Sequence, residues 1–259
     1  MIQNIDIGFY HESSYNTMFY IGCIFFIVLL CWKKHREVYG ITLWKAAVMS
    51  VISIFFGYFT TSLMFGIENY DLSNLSGFSW YGAVFFMPIA MLIIFWFLKY
   101  ILKICTLNYI HNLAAPLALM NGFMKIGCTL YGCCYGYPSS FGFYNIVLGQ
   151  KAFPIQLVEA LWNFAVCGFI LWFEHKPGKI KYVYPTYMVV YSVGRFFCEF
   201  GRKSSLPLAG TSFYTGGMLY ATLAIIIGVI WILAVKSIED KEVYRISHTG
   251  GVSGWRQRI

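Results

Sequence analysis

Charge is scarce in this chain: only 12 % of its 259 residues are Asp, Glu, Lys or Arg, about half the share usual in soluble domains. So little charge cannot keep a surface wet when 59 % of the residues are hydrophobic and 20 % aromatic, which excludes a soluble globular fold. Residues 1–16 contain no Lys or Arg, and no small-residue cleavage pattern follows the first apolar block. That block is therefore expected to remain as a true span rather than leave as a signal peptide. No internal repeat, low-complexity tract or long linker divides the chain. Most of the eight cysteines, including Cys23, Cys31, Cys105, Cys167 and Cys198, fall in apolar runs, where Cys behaves as a small hydrophobe. A secreted disulfide framework does not fit.

What is present is a series of apolar blocks of about 17 to 25 residues, the length that crosses a hydrocarbon core of roughly 30 Å as α-helix. They predict spans near residues 17–32, 45–66, 79–102, 113–130, 156–173, 182–200 and 213–235. The expected fold is all-α, a polytopic integral membrane protein of about seven transmembrane helices. Lys and Arg near span ends favour the cytoplasmic side. With the N-terminus outside, 14 of the 19 basic residues fall on inside segments, against Lys151, Arg202 and Lys203 outside and Lys125 and Arg195 within spans. The expected orientation is N-terminus outside and C-terminus cytoplasmic, in a bacterial cytoplasmic (inner) membrane. Topology and an anionic inner leaflet then account for the net charge of +8, and no nucleic-acid partner need be invoked. A single transmembrane domain over 1–235 is expected, with an external loop near 131–155 rich in Gly, Tyr, Ser and Pro, where function tends to reside. A cytoplasmic basic tail, 236–259, should begin as an extension of the last helix and fray.

Charged groups at bilayer depth cost roughly 2.5–3.5 kcal/mol, so they persist where they are paired or line a wet cavity. Four stand out: Lys125, Glu159, Arg195 and Glu199, the last two spaced to pair on one helix face. They lie in three segments, KIGCTLYGCCYGYP (125–138), FPIQLVE (153–159) and YSVGRFFCEFGR (191–202). In order, spacing and content these resemble the prolipoprotein diacylglyceryl transferase family. That family shows an Arg-Ile-Gly-Asn/Cys segment ending in an invariant Gly, often Gly-Cys-Cys-Tyr-Gly in Gram-positive members. It then shows His-Pro-x-Gln-Leu-Tyr-Glu and Tyr-Gly-x-x-Arg-Phe-x-x-Glu-Phe-x-Arg. Fainter similarity extends upstream through NLAAP (112–116) and GFSWYGA (77–83) to Tyr20. The chain departs from the pattern at Lys125 (Arg in the family), Cys133 (Glu), Phe153 (His) and Val158 (Tyr), and at Tyr81, where some members carry a His. Lys in place of Arg keeps the charge but loses the bidentate fork.

The resemblance implies transfer of a diacylglyceryl group from phosphatidylglycerol to the thiol of a lipobox cysteine in a prolipoprotein signal peptide, with no cofactor. Its partners would be phosphatidylglycerol, that peptide and membrane lipid. Displacement at a glyceryl carbon builds charge on a leaving phosphate, which cationic side chains in a low-dielectric pocket suit. On this reading Lys125 and Arg195 hold the phosphate, and Glu199 and Glu159 orient them. Tyr81 is the positional candidate for general base, with a thiolate held by Lys125 as the alternative. Tyr20, Cys128, Gly136, Gln156, Glu159 and Arg202 form the expected substrate-binding set. A paralogue with another acceptor, a thiol-redox protein using Cys133 and Cys134, and a non-catalytic transporter or scaffold remain alternatives. The C-x4-C-C spacing of Cys128, Cys133 and Cys134 lacks the C-x2-C pairs of a zinc site and has no nearby His, so no metal is expected. His35, His111 and His175 are expected at surfaces or interfaces.

Overall fold

A computed structural model describes residues 3–7, 10–73, 75, 77–102, 106–203 and 214–248. Lys103, Cys105, Phe213, where the last span was expected to begin, and tail residues 249–259 lie outside them. The apolar blocks fold as helices: α1 (Ser14–Cys31), α2 (Lys33–Val38), α3 (Leu43–Glu68), α4 (Met87–Leu102), α5 (Thr106–Asn112), α6 (Ala114–Tyr131), α7 (Ile155–Glu174), α8 (Val183–Phe200) and α9 (Gly216–His248). A π-helical turn, Gly82–Phe86, precedes α4. Five segments of the described residues are long and apolar enough to cross a membrane: Ser14–Cys31, Leu43–Glu68, Leu107–Tyr131, Ile155–Glu174 and Gly216–Glu242. The helix α4 has only 16 residues. In α8, Arg195, Glu199 and three tyrosines break up the apolar run. Hence the structure gives a mostly helical protein with several membrane-length helices.

Two short hairpins depart from the all-α expectation. The first pairs β1 (Asn4–Ile7) with β2 (Tyr10–Ser13), and the second pairs β3 (Pro138–Asn145) with β4 (Gln150–Ala152), both antiparallel. The second occupies the segment expected as loop. Its turn is closed by the Asn145 side chain, which accepts from the Leu148 N–H at 2.9 Å. Along β3, Phe141, Phe143 and Tyr144 are exposed.

Local chemistry fixes the helix ends that matter for the site. Ser13 caps α1 by accepting from the Asn16 N–H at 3.1 Å. Gly132 ends α6 in the left-handed region (φ +95°), its N–H bonded to the Cys128 carbonyl at 2.9 Å, a conformation that glycine adopts without steric penalty. The helix α6 is the centre of the bundle, packed against α1 and α7, while α8 packs against α7 and α9. A Cβ at Gly127 would lie 3.0 Å from Met18 Cβ and 3.2 Å from Tyr15 Cα, so a small residue there lets α1 and α6 approach. Tyr184, Tyr187 and Tyr191 line the inner face of α8, fully buried, Tyr184 edge-on to Tyr187 and Tyr187 stacked on Tyr191.

The end of the bundle opposite the hairpin of β3 and β4 corrects the reading of two histidines. Of the three histidines expected at surfaces, His35 and His111 are buried and His175 is exposed. His35 places Nε2 3.0 Å from the Asn112 carbonyl and Nδ1 2.7 Å from Glu174 Oε1, while Tyr39 donates to Glu174 Oε2 at 2.8 Å. Its partners are 77 and 139 residues away, which is why a basic stretch of sequence hid the site. His111 Nδ1 accepts from the Tyr184 N–H at 3.2 Å. Removing one member of a buried pair typically costs about 3–5 kcal/mol. His35→Ala should therefore lower stability by roughly that amount in denaturant unfolding of the detergent-solubilised protein. A shift below about 1 kcal/mol would show that water replaces the imidazole freely.

Candidate functional site

The N-terminal end of α1, the C-terminal ends of α3, α6 and α8, the residues before the π-helical turn and the start of α9 surround one cavity of about 840 Å³. Of the residues expected from the sequence, Tyr81, Lys125, Cys128, Arg195, Glu199 and Arg202 line it. Glu159, 2 % exposed, lies directly behind them.

Glu159 is the hub. Its Oε2 is 2.5 Å from Lys125 Nζ, and its Oε1 is 2.6 Å from Arg202 Nη2 and 3.5 Å from Arg195 Nη1. Arg195 also bonds Glu199 Oε2 across one helical turn. Arg202 Nε stands 3.7 Å from the same oxygen, beyond hydrogen-bond reach. Thr215 donates to Glu199 Oε1 at 2.9 Å. Three cations thus share two carboxylates, which leaves the cluster one positive charge in excess on the cavity wall. Such a set, with two guanidinium forks and one ammonium, is suited to hold a phosphate. Arg202, expected on an outer loop, is drawn into this network.

Gly217 lets α9 close over the pair: a Cβ there would be 2.7 Å from Glu199 Oε1 and 3.0 Å from Arg195 Nη2. Tyr81 is buried on the cavity wall, where its hydroxyl donates to the Gly217 carbonyl at 3.2 Å and its ring packs on Tyr191 and Tyr220. Its proton is therefore committed to a carbonyl.

Besides Glu159, three residues of the expected binding set do not line the cavity. Gly136 forms a β-bridge with Arg202, and the Tyr137 N–H bonds the Gly201 carbonyl at 3.3 Å. A Cβ at Gly136 would fall 2.5 Å from the Phe153 carbonyl oxygen and 2.9 Å from that of Gly201, so glycine is what allows the backbone contact that positions Arg202. Gln156 donates to the Cys133 carbonyl at 2.8 Å and fixes the same loop. Tyr20 is 46 % exposed on the outer face of α1. The tyrosine of α1 that lines the cavity is Tyr15, five residues earlier and about 140° around the helix.

The sequence reading also passed over Glu68, Asn121 and Tyr191, all on the cavity wall. Glu68 ends α3 and accepts from the Ser79 hydroxyl at 2.6 Å. The available signal was an acidic residue closing an apolar run near the same outer end as Tyr81.

Past the Gly132 cap the chain folds back, and the Sγ atoms of Cys128, Cys133 and Cys134 come within 4.8 Å of one another. Hydrogen bonds from the Cys128 and Cys133 thiols, with the positive charges of Arg202 and Lys125 adding to them, hold the Cys134 thiol well below its ordinary range.

Compared with known proteins, residues 4–234 match the sequence profile of the family described as prolipoprotein diacylglyceryl transferase. The chain is 28 % identical over 234 residues to the phosphatidylglycerol–prolipoprotein diacylglyceryl transferase of Clostridium tetani, covering 83 % of this chain and 90 % of that protein. It is 32 % identical over 142 residues to phosphatidylglycerol–prolipoprotein diacylglyceryl transferase 2 of Clostridium perfringens, covering 51 % of this chain and only about half, 53 %, of that relative. A Clostridium botulinum transferase of the same name is 36 % identical over 95 residues, about a third of either chain.

Proposed function

Because this chain belongs to the prolipoprotein diacylglyceryl transferase family, we propose that it moves the diacylglyceryl group of phosphatidylglycerol to the thiol of a prolipoprotein cysteine. The observation that carries the reading is the convergence of Lys125, Arg195 and Arg202 on one cavity, braced from behind by Glu159. In the reaction the thiolate sulfur attacks a glyceryl carbon. The bond from that carbon to the phosphate oxygen breaks, and glycerol phosphate departs with the electron pair. Negative charge grows on the phosphate, where the three cations stabilise the transition state more than the ground state. Arg195 and Arg202 offer planar forks to the phosphate oxygens, and Lys125 adds a point charge.

The thiol proton goes to Glu68. Among the described residues lining the cavity there are two carboxylates. Glu199 is held by Arg195 and Thr215, whereas Glu68 is held by a neutral hydroxyl. Tyr81 serves as wall and brace. Glu68→Gln should then lower kcat about 10²–10⁴-fold with a smaller change in KM. The loss should shrink as pH rises toward the ordinary thiol pKa of about 8.5, where the thiolate forms unaided. A variant that turns over at the parent rate would remove Glu68 from the mechanism.

Seven crossings with the N-terminus outside complete the reading: α4 and α8 join the five segments that are both long and apolar enough, and the tail from Lys236 lies in the cytoplasm below one transmembrane domain. The distribution of Lys and Arg supports this. So does the segregation of the cavity residues at one end of the bundle from the His35–Glu174 pair and the Lys181–Glu239 pair at the other. The cavity would then open at the outer face of a bacterial inner membrane, next to its lipid substrate and the lipobox of a signal peptide. Purified protein, incubated with labelled phosphatidylglycerol and a lipobox peptide, should yield a thioether-linked diacylglyceryl peptide by mass spectrometry. Intact phospholipid after many hours, with protein that still unfolds cooperatively, would overturn the reading.

A further inference from the structure

We propose that Cys128, Cys133 and Cys134 form a three-sulfur site for one soft monovalent metal ion, of which Cu(I) is the representative. The sulfurs lie within 4.8 Å of one another. Three thiolates around an ion at about 2.3 Å stand about 4 Å apart in a trigonal plane, so small side-chain rotations suffice to close the site. The ligands come from one short stretch folded back on itself by the left-handed Gly132 cap, which is why C-x4-C-C, unpromising as spacing, works as geometry.

A second feature points the same way. Cys134 itself has φ +55°, a left-handed backbone on a residue with a Cβ. Strain of this kind costs of order 1–3 kcal/mol and concentrates at functional sites.

Ligand number and charge select the ion. Among the described residues no His, Asp, Glu or fourth Cys joins the cluster, whereas structural zinc is almost always held by four protein ligands. Soft thiolates favour Cu(I). Three thiolates and one monovalent ion leave two negative charges, and the excess positive charge of the Lys125, Arg195 and Arg202 cluster on the same cavity wall offsets one of them. Cys133 and Cys134 are part-exposed residues on the cavity wall, which gives an ion a route to the cluster. Of the other described cysteines, Cys23, Cys31, Cys167 and Cys198, none joins this cluster, which sets the stoichiometry at one.

The test uses full-length, detergent-solubilised, reduced protein under anaerobic conditions, titrated with Cu(I) held by bicinchoninate. One equivalent should pass from the chelator to the protein. X-ray absorption of the loaded protein should report three sulfurs at about 2.3 Å. Cys128→Ser, Cys133→Ser and Cys134→Ser should each weaken binding at least tenfold, and Cys167→Ser should not. Copper left on the chelator, two or fewer sulfurs around the metal, or parent-like binding by any of the three cluster variants would overturn the proposal. Should a variant fail to give the parent's metal-free melting curve, the sulfur count on the unmodified protein decides.

Discussion

Arg195→Ala should lower the rate of diacylglyceryl transfer by about 10²–10³-fold, the loss seen when one charge-stabilising donor is removed from a preorganised site. Arg195 is the one cation bonded to both carboxylates of the cluster through a single nitrogen, Nη1, and its other amine, Nη2, faces Gly217. On the proposed reading, removing it takes a fork from the phosphate, and it also frees Glu199 from its ion pair. Arg195→Lys keeps the charge and should recover part of kcat, because an ammonium can neutralise but cannot bridge two oxygens. The measurement is single-turnover transfer with saturating phosphatidylglycerol. Equal rates for Arg195→Ala and the parent would place the phosphate elsewhere in the cavity.

Glu159→Ala should be the most destabilising substitution in the site, by about 3–5 kcal/mol. Its two oxygens meet Lys125, Arg195 and Arg202, so its loss leaves three cations facing one another with only Glu199 between them. The decisive comparison is a pair: Glu159→Gln alone, and Glu159→Gln combined with Lys125→Met. If repulsion within the cluster sets the cost, the double variant unfolds at higher denaturant than the single one. The opposite order would mean that Lys125 stabilises the fold through packing of its alkyl stem.

Much of this was legible in the sequence, for physical reasons that can be named. Long apolar runs pointed to helices because a helix satisfies all of its backbone hydrogen bonds within one segment in lipid. The expected span 113–130 became α6 at Ala114–Tyr131, and 156–173 became α7 at Ile155–Glu174. Lys125, Arg195, Glu199 and Glu159 were visible because charge inside an apolar run needs a reason. Contacts made by folding back were not visible. The thiol cluster depends on a positive φ at Gly132, which residue spacing does not report. Tyr20 was named from the resemblance and Tyr15 went unread, because only the packing of α1 on α6 reveals which face turns inward. His35 and Glu174 each sit beside basic residues that look solvated, and their pairing spans 139 positions. Glu68 went unread because a carboxylate at a helix end resembles an ordinary interfacial residue.

The bridge between Gly136 and Arg202 has a mechanical corollary. Two residues after Gly136 the chain enters β3 with its outward aromatic side chains. That hairpin is therefore joined through one backbone bridge to the residue whose guanidinium rests on Glu159. On the proposed reading, a molecule that lifts the hairpin should also loosen the hold of Arg202 on the phosphate.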